Sequence, residues 1–176
     1  MIGNKINKLS GKPKFLAIFV LVVVIGAVVL HRINENIHFS SLIPPEIETV
    51  GRDFVEQKFD LFDACGIAVW KLSPDTKKKI QNDKITFLNT ARSAYKGSLF
   101  QEKEKIDYEH WVQTSSESAI LSDGLPASFS CTTNKPQWDM NLLDSLKSGE
   151  AFYTRNGNLM LIAVPKMKII VISFIE

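Results

Sequence analysis

The feature that most constrains this 176-residue chain is an apolar run of sixteen residues, Phe15 to Leu30, FLAIFVLVVVIGAVVL. Burying such side chains in lipid is favourable, and a helix satisfies its own backbone hydrogen bonds there. At 1.5 Å per residue the run spans roughly 24 Å, slightly less than the ~30 Å hydrocarbon core of a bilayer. We therefore predict a transmembrane helix over residues 15–32, with Lys14 and Arg32 reaching towards the headgroups.

A cleaved secretory signal is the alternative interpretation of the same run. Signal peptides have apolar regions of about 7–15 residues and end in a small-x-small cleavage site. Within the run, Gly26-Ala27 is the one pair of adjacent small residues. Cleavage after Gly26 or Ala27 would put the large residue Val24 or Ile25 at the third position before the cut, where a small residue is needed. Apolar residues also continue through Leu30. These features favour an uncleaved anchor, although cleavage is left open.

The flanking charges predict the orientation of the anchor. Four of the 21 Lys and Arg residues precede the run without an acidic residue among them, which leaves 17 basic against 19 acidic residues in the rest of the chain. The positive-inside rule then places the N-terminus in the cytoplasm. We expect a single-pass protein of the bacterial inner membrane with its C-terminal domain in the periplasm. The exported part has no basic stripe typical of nucleic-acid binding.

The sequence divides into four segments around the anchor. We predict a basic cytoplasmic leader (1–14), the transmembrane segment (15–32), a juxtamembrane linker (33–45) and one exported domain (46–176). About 130 residues are enough for one domain with its own core. The predicted fold class is α+β, with a mainly antiparallel sheet packed against helices.

Helices are predicted where apolar residues recur at helical spacing or capping residues mark a start. Residues 46–63 have an amphipathic pattern, and Ser73-Pro74 begins a helix over about 74–82. A further helical face runs from Phe87 to Tyr95 and ends at Gly97. Asp139 opens a short helix over 139–147.

Strands are predicted from short apolar or alternating runs bounded by turn residues. They are 65–72, 108–114, 127–131 and a C-terminal meander of 151–154, 159–164 and 168–175. Asn156-Gly157 predicts a type I′ turn between the first two strands of the meander. The last strand is too apolar for a bare edge, so it lies beside 65–72 or accepts a strand from another protein.

Two cysteines, Cys65 and Cys131, both lie beyond the membrane segment. In an oxidising compartment they predict a disulfide, which would add about 4 kcal/mol in the chain-entropy model. The alternative is two buried thiols that pack as small apolar residues. Neither cysteine has CxxC spacing or a nearby histidine, so we expect no metal and no cofactor.

Nucleotide-binding loops, HExxH sites and EF-hand loops are absent from the sequence. Two hypotheses remain. The preferred one is a non-catalytic envelope binding or accessory protein, of an immunity or assembly type, with two partners: the lipid bilayer through residues 15–32 and another envelope protein. The alternative is a small membrane-anchored hydrolase. It would use Glu109, His110, Ser115 and Ser116 or a carboxylate pair (Asp60 with Asp63, or Glu102 with Glu104), and at least two of these must then meet in a concave site.

Overall fold

The computed structural model describes residues 12–59, 64–99, 101–115 and 139–175. Its elements in chain order are α1 (Lys12–Ser41), β1 (Thr49–Phe59), β2 (Ala64–Leu72), α2 (Pro74–Leu88), β3 (Ser93–Ser98), β4 (Gln101–Asp107), β5 (Val112–Gln113), α3 (Asp139–Lys147), β6 (Phe152–Asn156), β7 (Leu159–Val164) and β8 (Ile169–Ile175). An antiparallel sheet packed with helices follows an N-terminal apolar helix, so the predicted α+β class is confirmed.

Six strands form the main sheet in the order β1-β2-β8-β7-β6-β5, and β3 and β4 form a separate hairpin. Strand β8 pairs antiparallel with β2, from Cys65 opposite Ile175 to Lys71 opposite Ile169. The prediction that the last strand lies beside residues 65–72 is therefore confirmed. Both strands are covered on both faces of the sheet, which explains why they read as nearly continuous apolar runs.

Both faces of the main sheet are covered by other elements. On one face, the end of α1, α2 and the β3–β4 hairpin pack against residues such as Trp70 and Ile170. On the other face, Leu142 and Leu146 of α3 pack against the sheet, which confirms the helix predicted over 139–147. The core therefore lies on both sides of β2 and β8.

Helix α1 continues well past the apolar run. Its segment Leu16–Ser41 is long and apolar enough to cross a membrane, with a mean hydropathy of 2.7 in its most apolar window. The predicted linker over 33–45 is helical through Ser41, and its apolar side chains Phe39 and Leu42 are buried in the domain core. The apolar segment thus enters the domain as one uninterrupted helix.

Residues 49–59 form strand β1, so the amphipathic helix predicted over 46–63 is wrong. Strand β1 pairs antiparallel with β2 and shows two register shifts within Thr49–Phe54. Each shift disturbs strict inside-outside alternation, which leaves the apolar residues at a spacing that also fits a helix. Pairing with a buried neighbouring strand decides the conformation.

Helix α2 begins as predicted and ends differently. Ser73 caps it, because its Oγ accepts a hydrogen bond from the Thr76 amide at 3.1 Å. A kink at Lys84, with φ of 46°, lies just after the predicted end at residue 82 and does not end the helix, which runs to Leu88. The helical face predicted through Tyr95 is wrong beyond Leu88, since Tyr95 lies in strand β3 opposite Lys105.

The β6–β7 hairpin is confirmed with a different turn. Its last paired residues are Asn156 and Leu159, so Gly157 and Asn158 are the two central residues. Gly157 has φ of 55°, whereas Asn156 and Asn158 are not at positive φ. Glycine at the first central position is typical of a type II′ turn, not of the predicted type I′ turn.

One predicted strand and one half of the predicted disulfide fall outside the described residues. The strand over 127–131 and the partner cysteine Cys131 both belong to a stretch that the structure does not describe. Cys65 lies in β2, between Lys58 of β1 and Ile175 of β8. The disulfide therefore stays a prediction.

Candidate functional site: a cleft beside helix α1

The candidate site is built where α1 docks on the domain. The Asn34 Oδ1 atom accepts a hydrogen bond from the Leu99 amide at 2.9 Å. Two turns further on, Ser41 Oγ accepts from the Gly97 amide at 3.1 Å. The Tyr108 hydroxyl donates to the Leu42 carbonyl at 2.7 Å. These bonds run along one side of the helix, so the β3–β4 hairpin lies against α1 with its turn towards the apolar run.

A carboxylate fixes a second side of the helix, the one that faces β1. Glu35 is buried, and its Oε2 accepts hydrogen bonds from Arg52 at 3.0 Å and Arg32 at 3.3 Å. Its Oε1 accepts from Gln57 Nε2 at 3.1 Å. Two of these donors lie on β1, so Glu35 ties α1 to the edge of the main sheet. A buried carboxylate with several charged and polar donors is well compensated for its loss of water.

Glu35→Gln tests this tie. We expect it to lower the free energy of unfolding by about 2 kcal/mol, because hydrogen bonds to charged groups contribute about 1.5–3 kcal/mol and the glutamine amide would face Arg52 without its charge. The measurement is urea unfolding of the full chain in detergent micelles, followed by tryptophan fluorescence. The matched control is Glu46→Gln at an exposed position, which should change little. Equal effects of the two substitutions would contradict the assignment.

A cleft of about 700 Å³ opens between α1 and the sheet. One wall of the cleft is the polar side of α1, with His31, Asn34, Glu35 and His38. The apolar floor of the cleft includes Phe39. The lining also includes the following residues from other elements: Leu42, Gln57, Lys96, Glu104, Lys105, Ile106, Asp107, Asn156, Gly157, Asn158, Leu159, Phe174 and Ile175. Its volume suits a drug-sized ligand or an inserted protein segment.

Hydrogen bonds between elements shape the cleft wall opposite α1. Asn156 Nδ2 donates to the Asp107 carbonyl at 2.8 Å, which joins the β6–β7 turn to β4. Lys105 Nζ lies 2.9 Å from Asp107 Oδ1. The hydrogen bond from Ser93 and then that from Lys105 lower the pKa of the Asp107 carboxyl, and the hydrogen bond to Asp107 raises the pKa of Lys105. The rim therefore carries both charge signs at neutral pH above an apolar floor.

The buried phenol of Tyr108 makes the free energy of unfolding depend on pH in the alkaline range. Burial raises the pKa of its phenol above the usual range, so the folded state favours the neutral form. That contribution is fully present below the unfolded pKa of about 10 and is lost as pH rises through the folded value. Tyr108→Phe should cost about 1 kcal/mol at pH 8 through the lost bond to Leu42, and the gap to wild type should narrow above about pH 10.

The measurement is urea unfolding of wild type and Tyr108→Phe across that pH range. Tyr95→Phe is the control, because Tyr95 is half exposed on the neighbouring hairpin. A gap between wild type and Tyr108→Phe that stays constant from neutral to alkaline pH would contradict the role of burial.

The residues of the hydrolase hypothesis do not meet in this cleft. Glu109 Oε2 accepts a hydrogen bond from Arg155 Nε at 3.1 Å, and His110 Nε2 lies 3.4 Å from Arg92 Nη1 on the surface. The segment around them is not the predicted strand over 108–114, since only Val112–Gln113 pair as β5. Neither Glu109 nor His110 lines the cleft.

The other candidates of that hypothesis are also dispersed. Ser115 is exposed and does not line the cleft, while Ser116, Asp60 and Asp63 lie outside the described residues. Glu104 lines the cleft, but Glu102, the other half of its carboxylate pair, does not. Within the described part of the chain, the concave site that the hydrolase requires is not formed by its predicted residues.

Sequence reasoning missed the polar side of α1. Glu35, Phe39 and Leu42 are spaced four and three residues apart, which places them on one helical face. That spacing could have predicted a helix that continues past residue 32, with Glu35 as a buried group. The apolar run ends at Leu30, and two prolines follow at positions 44 and 45. The residues between them were therefore predicted to be a linker.

Comparison of the chain with protein-family models, with curated proteins and with solved structures finds no match. The class that the structure defines is therefore structural: an α+β domain built directly onto a helix that is long and apolar enough to span a membrane.

Proposed function

We propose that this chain is a single-pass protein of the bacterial inner membrane whose periplasmic domain binds another envelope protein without catalysing a reaction. An immunity or assembly role fits this description. The observation that carries the proposal is the cleft of about 700 Å³, one wall of which is the continuation of the membrane helix. The four lysines of the leader support the cytoplasmic position of the N-terminus.

The chemistry of the cleft supports a protein partner. Protein interfaces combine a desolvated apolar centre with a polar rim. Here Phe39 and Phe174 lie 5.7 Å apart between ring centroids in the cleft floor. Exposed Lys96, Glu104 and Lys105 supply donors and acceptors around it. A partner segment with one apolar side chain between polar neighbours would complement this surface.

Photo-crosslinking in living cells tests the proposal. The probe p-benzoylphenylalanine replaces Asn158, which is exposed and lines the cleft, and in the control it replaces Lys147, which is exposed on α3 across the sheet. We expect a discrete protein adduct from position 158 and its absence from position 147. Leu159→Trp adds bulk to the cleft and should reduce the adduct.

Two results would contradict binding at the cleft. One is the same adduct pattern from positions 158 and 147. The other is an adduct at position 158 that Leu159→Trp leaves unchanged while the variant unfolds at the same urea concentration as wild type. Either result would place partner binding elsewhere on the domain.

A further inference from the structure

We infer that the tip of the β3–β4 hairpin, which carries Leu99, lies in the lipid headgroup layer of the membrane that α1 spans. The inference goes beyond partner binding and relies only on the anchoring part of the proposed function. It follows from where the domain begins along α1, from the contacts of β1 with α1, and from the chemistry of the hairpin tip.

Leu99 lies at the same level along α1 as Asn34. Its amide bonds to Asn34 Oδ1, and Asn34 is four residues beyond Leu30, where the apolar run ends. Four residues correspond to about 6 Å along a helix. Because the run is roughly 6 Å shorter than the hydrocarbon core, the bilayer extends past its ends, and the headgroup layer adds several Å more on each side. The level of Asn34 therefore lies within the headgroup layer.

Strand β1 independently lines a groove together with α1 at the end of the apolar run. The groove is lined by Ala27, Val28 and His31 of the helix together with Val55 and Gln57 of β1. Ala27 and Val28 belong to the apolar run itself. The sheet edge thus reaches down to the last turn of the membrane segment, which leaves no spacer between domain and bilayer.

The third step is the chemistry of the hairpin. Leu99 is 46% exposed, so nearly half of an apolar side chain faces away from the protein at this level. Exposed lysines, Lys96 and Lys103, lie on the two strands that lead to it, together with the exposed acidic residues Glu102 and Glu104. An apolar tip with lysine side chains near it fits the boundary between acyl chains and headgroups, where lysine extends its ammonium group towards phosphate.

The test uses the full chain in vesicles of phosphatidylethanolamine and phosphatidylglycerol. The probe p-benzoylphenylalanine replaces Leu99, Val23 or Val112 in separate variants, and lipid adducts are measured by mass spectrometry after illumination. Val23 reports insertion of the membrane helix. Val112 is the matched control, because it is also 46% exposed but lies in β5, at the end of β6 away from the cleft-lining turn.

We expect lipid adducts at positions 23 and 99, with about tenfold more adduct at 99 than at 112, because the headgroup layer is only several Å deep. Adducts at 23 with equal, low levels at 99 and 112 would overturn the hairpin contact and leave the anchor intact. Absence of adducts at 23 would overturn the anchor and the hairpin contact together. Failure of partner binding is seen separately, in the crosslinks from position 158.

Discussion

A fragment that begins at residue 46 will fail to fold, whereas a fragment that begins at residue 31 will fold. The shorter fragment corresponds to the exported domain expected from the sequence, but it lacks the last turns of α1. The end of α1 and the two residues after it bury Phe39, Leu42 and Ile43, which are 2%, 3% and 7% exposed. At about 1.5–3 kcal/mol for each fully buried side chain, the loss of these three removes roughly 5–9 kcal/mol. That amount is comparable to the whole stability of a typical domain.

Both fragments can be compared by gel filtration and by thermal unfolding followed by circular dichroism. The longer fragment should elute as one species and unfold cooperatively. The shorter fragment should aggregate, because the site that α1 covers would expose Trp70 and the Tyr108 hydroxyl would lose the Leu42 carbonyl. Equal midpoints of unfolding for the two fragments would contradict the assignment of Phe39, Leu42 and Ile43 to the core.

Trp111→Ala should destabilise the protein by about 4 kcal/mol, within the 3–5 kcal/mol typical of deleting a buried tryptophan. The Trp111 side chain is 1% exposed, and its Nε1 donates to the Ala91 carbonyl at 2.9 Å. Removal leaves a cavity beside α2 and an acceptor without its donor. The measurement is urea unfolding of the full chain in detergent micelles, followed by circular dichroism.

Two further variants separate packing from hydrogen bonding at this site. Trp111→Phe keeps most of the apolar volume and loses the bond to Ala91, so its cost should be intermediate. Val112→Ala changes the exposed neighbour and should stay within about 0.5 kcal/mol of wild type. If Trp111→Ala cost no more than Val112→Ala, the packing described around Trp111 would be refuted.

Local signals predicted several elements correctly. The apolar run of β2, the Ser73-Pro74 start of α2, the helix over 139–147 and the strands around Gly157 each have a cause within a few residues of sequence. The pairing of β8 with β2 was also predictable, because a strand as apolar as β8 is stable only when both of its faces are buried.

Two elements could not be predicted from local patterns. Strand β1 carries apolar residues at helical spacing, and only its pairing with β2 and its register shifts make it a strand. The end of α1 carries the polar residues Asn34, Glu35 and Ser41 among apolar ones. From the sequence alone, such a segment resembles a polar connector, because the hydrogen-bond partners of these residues are not known. Those partners, Leu99, Arg52 and Gly97, are distant in sequence.

The cleft was beyond sequence reasoning for the same reason. Its lining comes from α1, β1, β3, β4, the β6–β7 turn and β8, which only the folded sheet brings together. The residues that attracted attention in the sequence, Glu109 and His110, are chemically versatile, but they bond to Arg155 and Arg92 on the surface. Residue type alone did not locate a site.

We propose that α1 spans the inner membrane and carries the domain into the periplasm. Protease accessibility in intact spheroplasts is the sharpest test of this topology, with one epitope tag at each end of the full chain and carbonate extraction of the membranes as a second readout. We expect external protease to remove the C-terminal tag, the N-terminal tag to be protected, and the chain to stay in the extracted membrane. A full-length chain recovered in the soluble fraction, or a C-terminal tag protected while the N-terminal tag is cleaved, would contradict it.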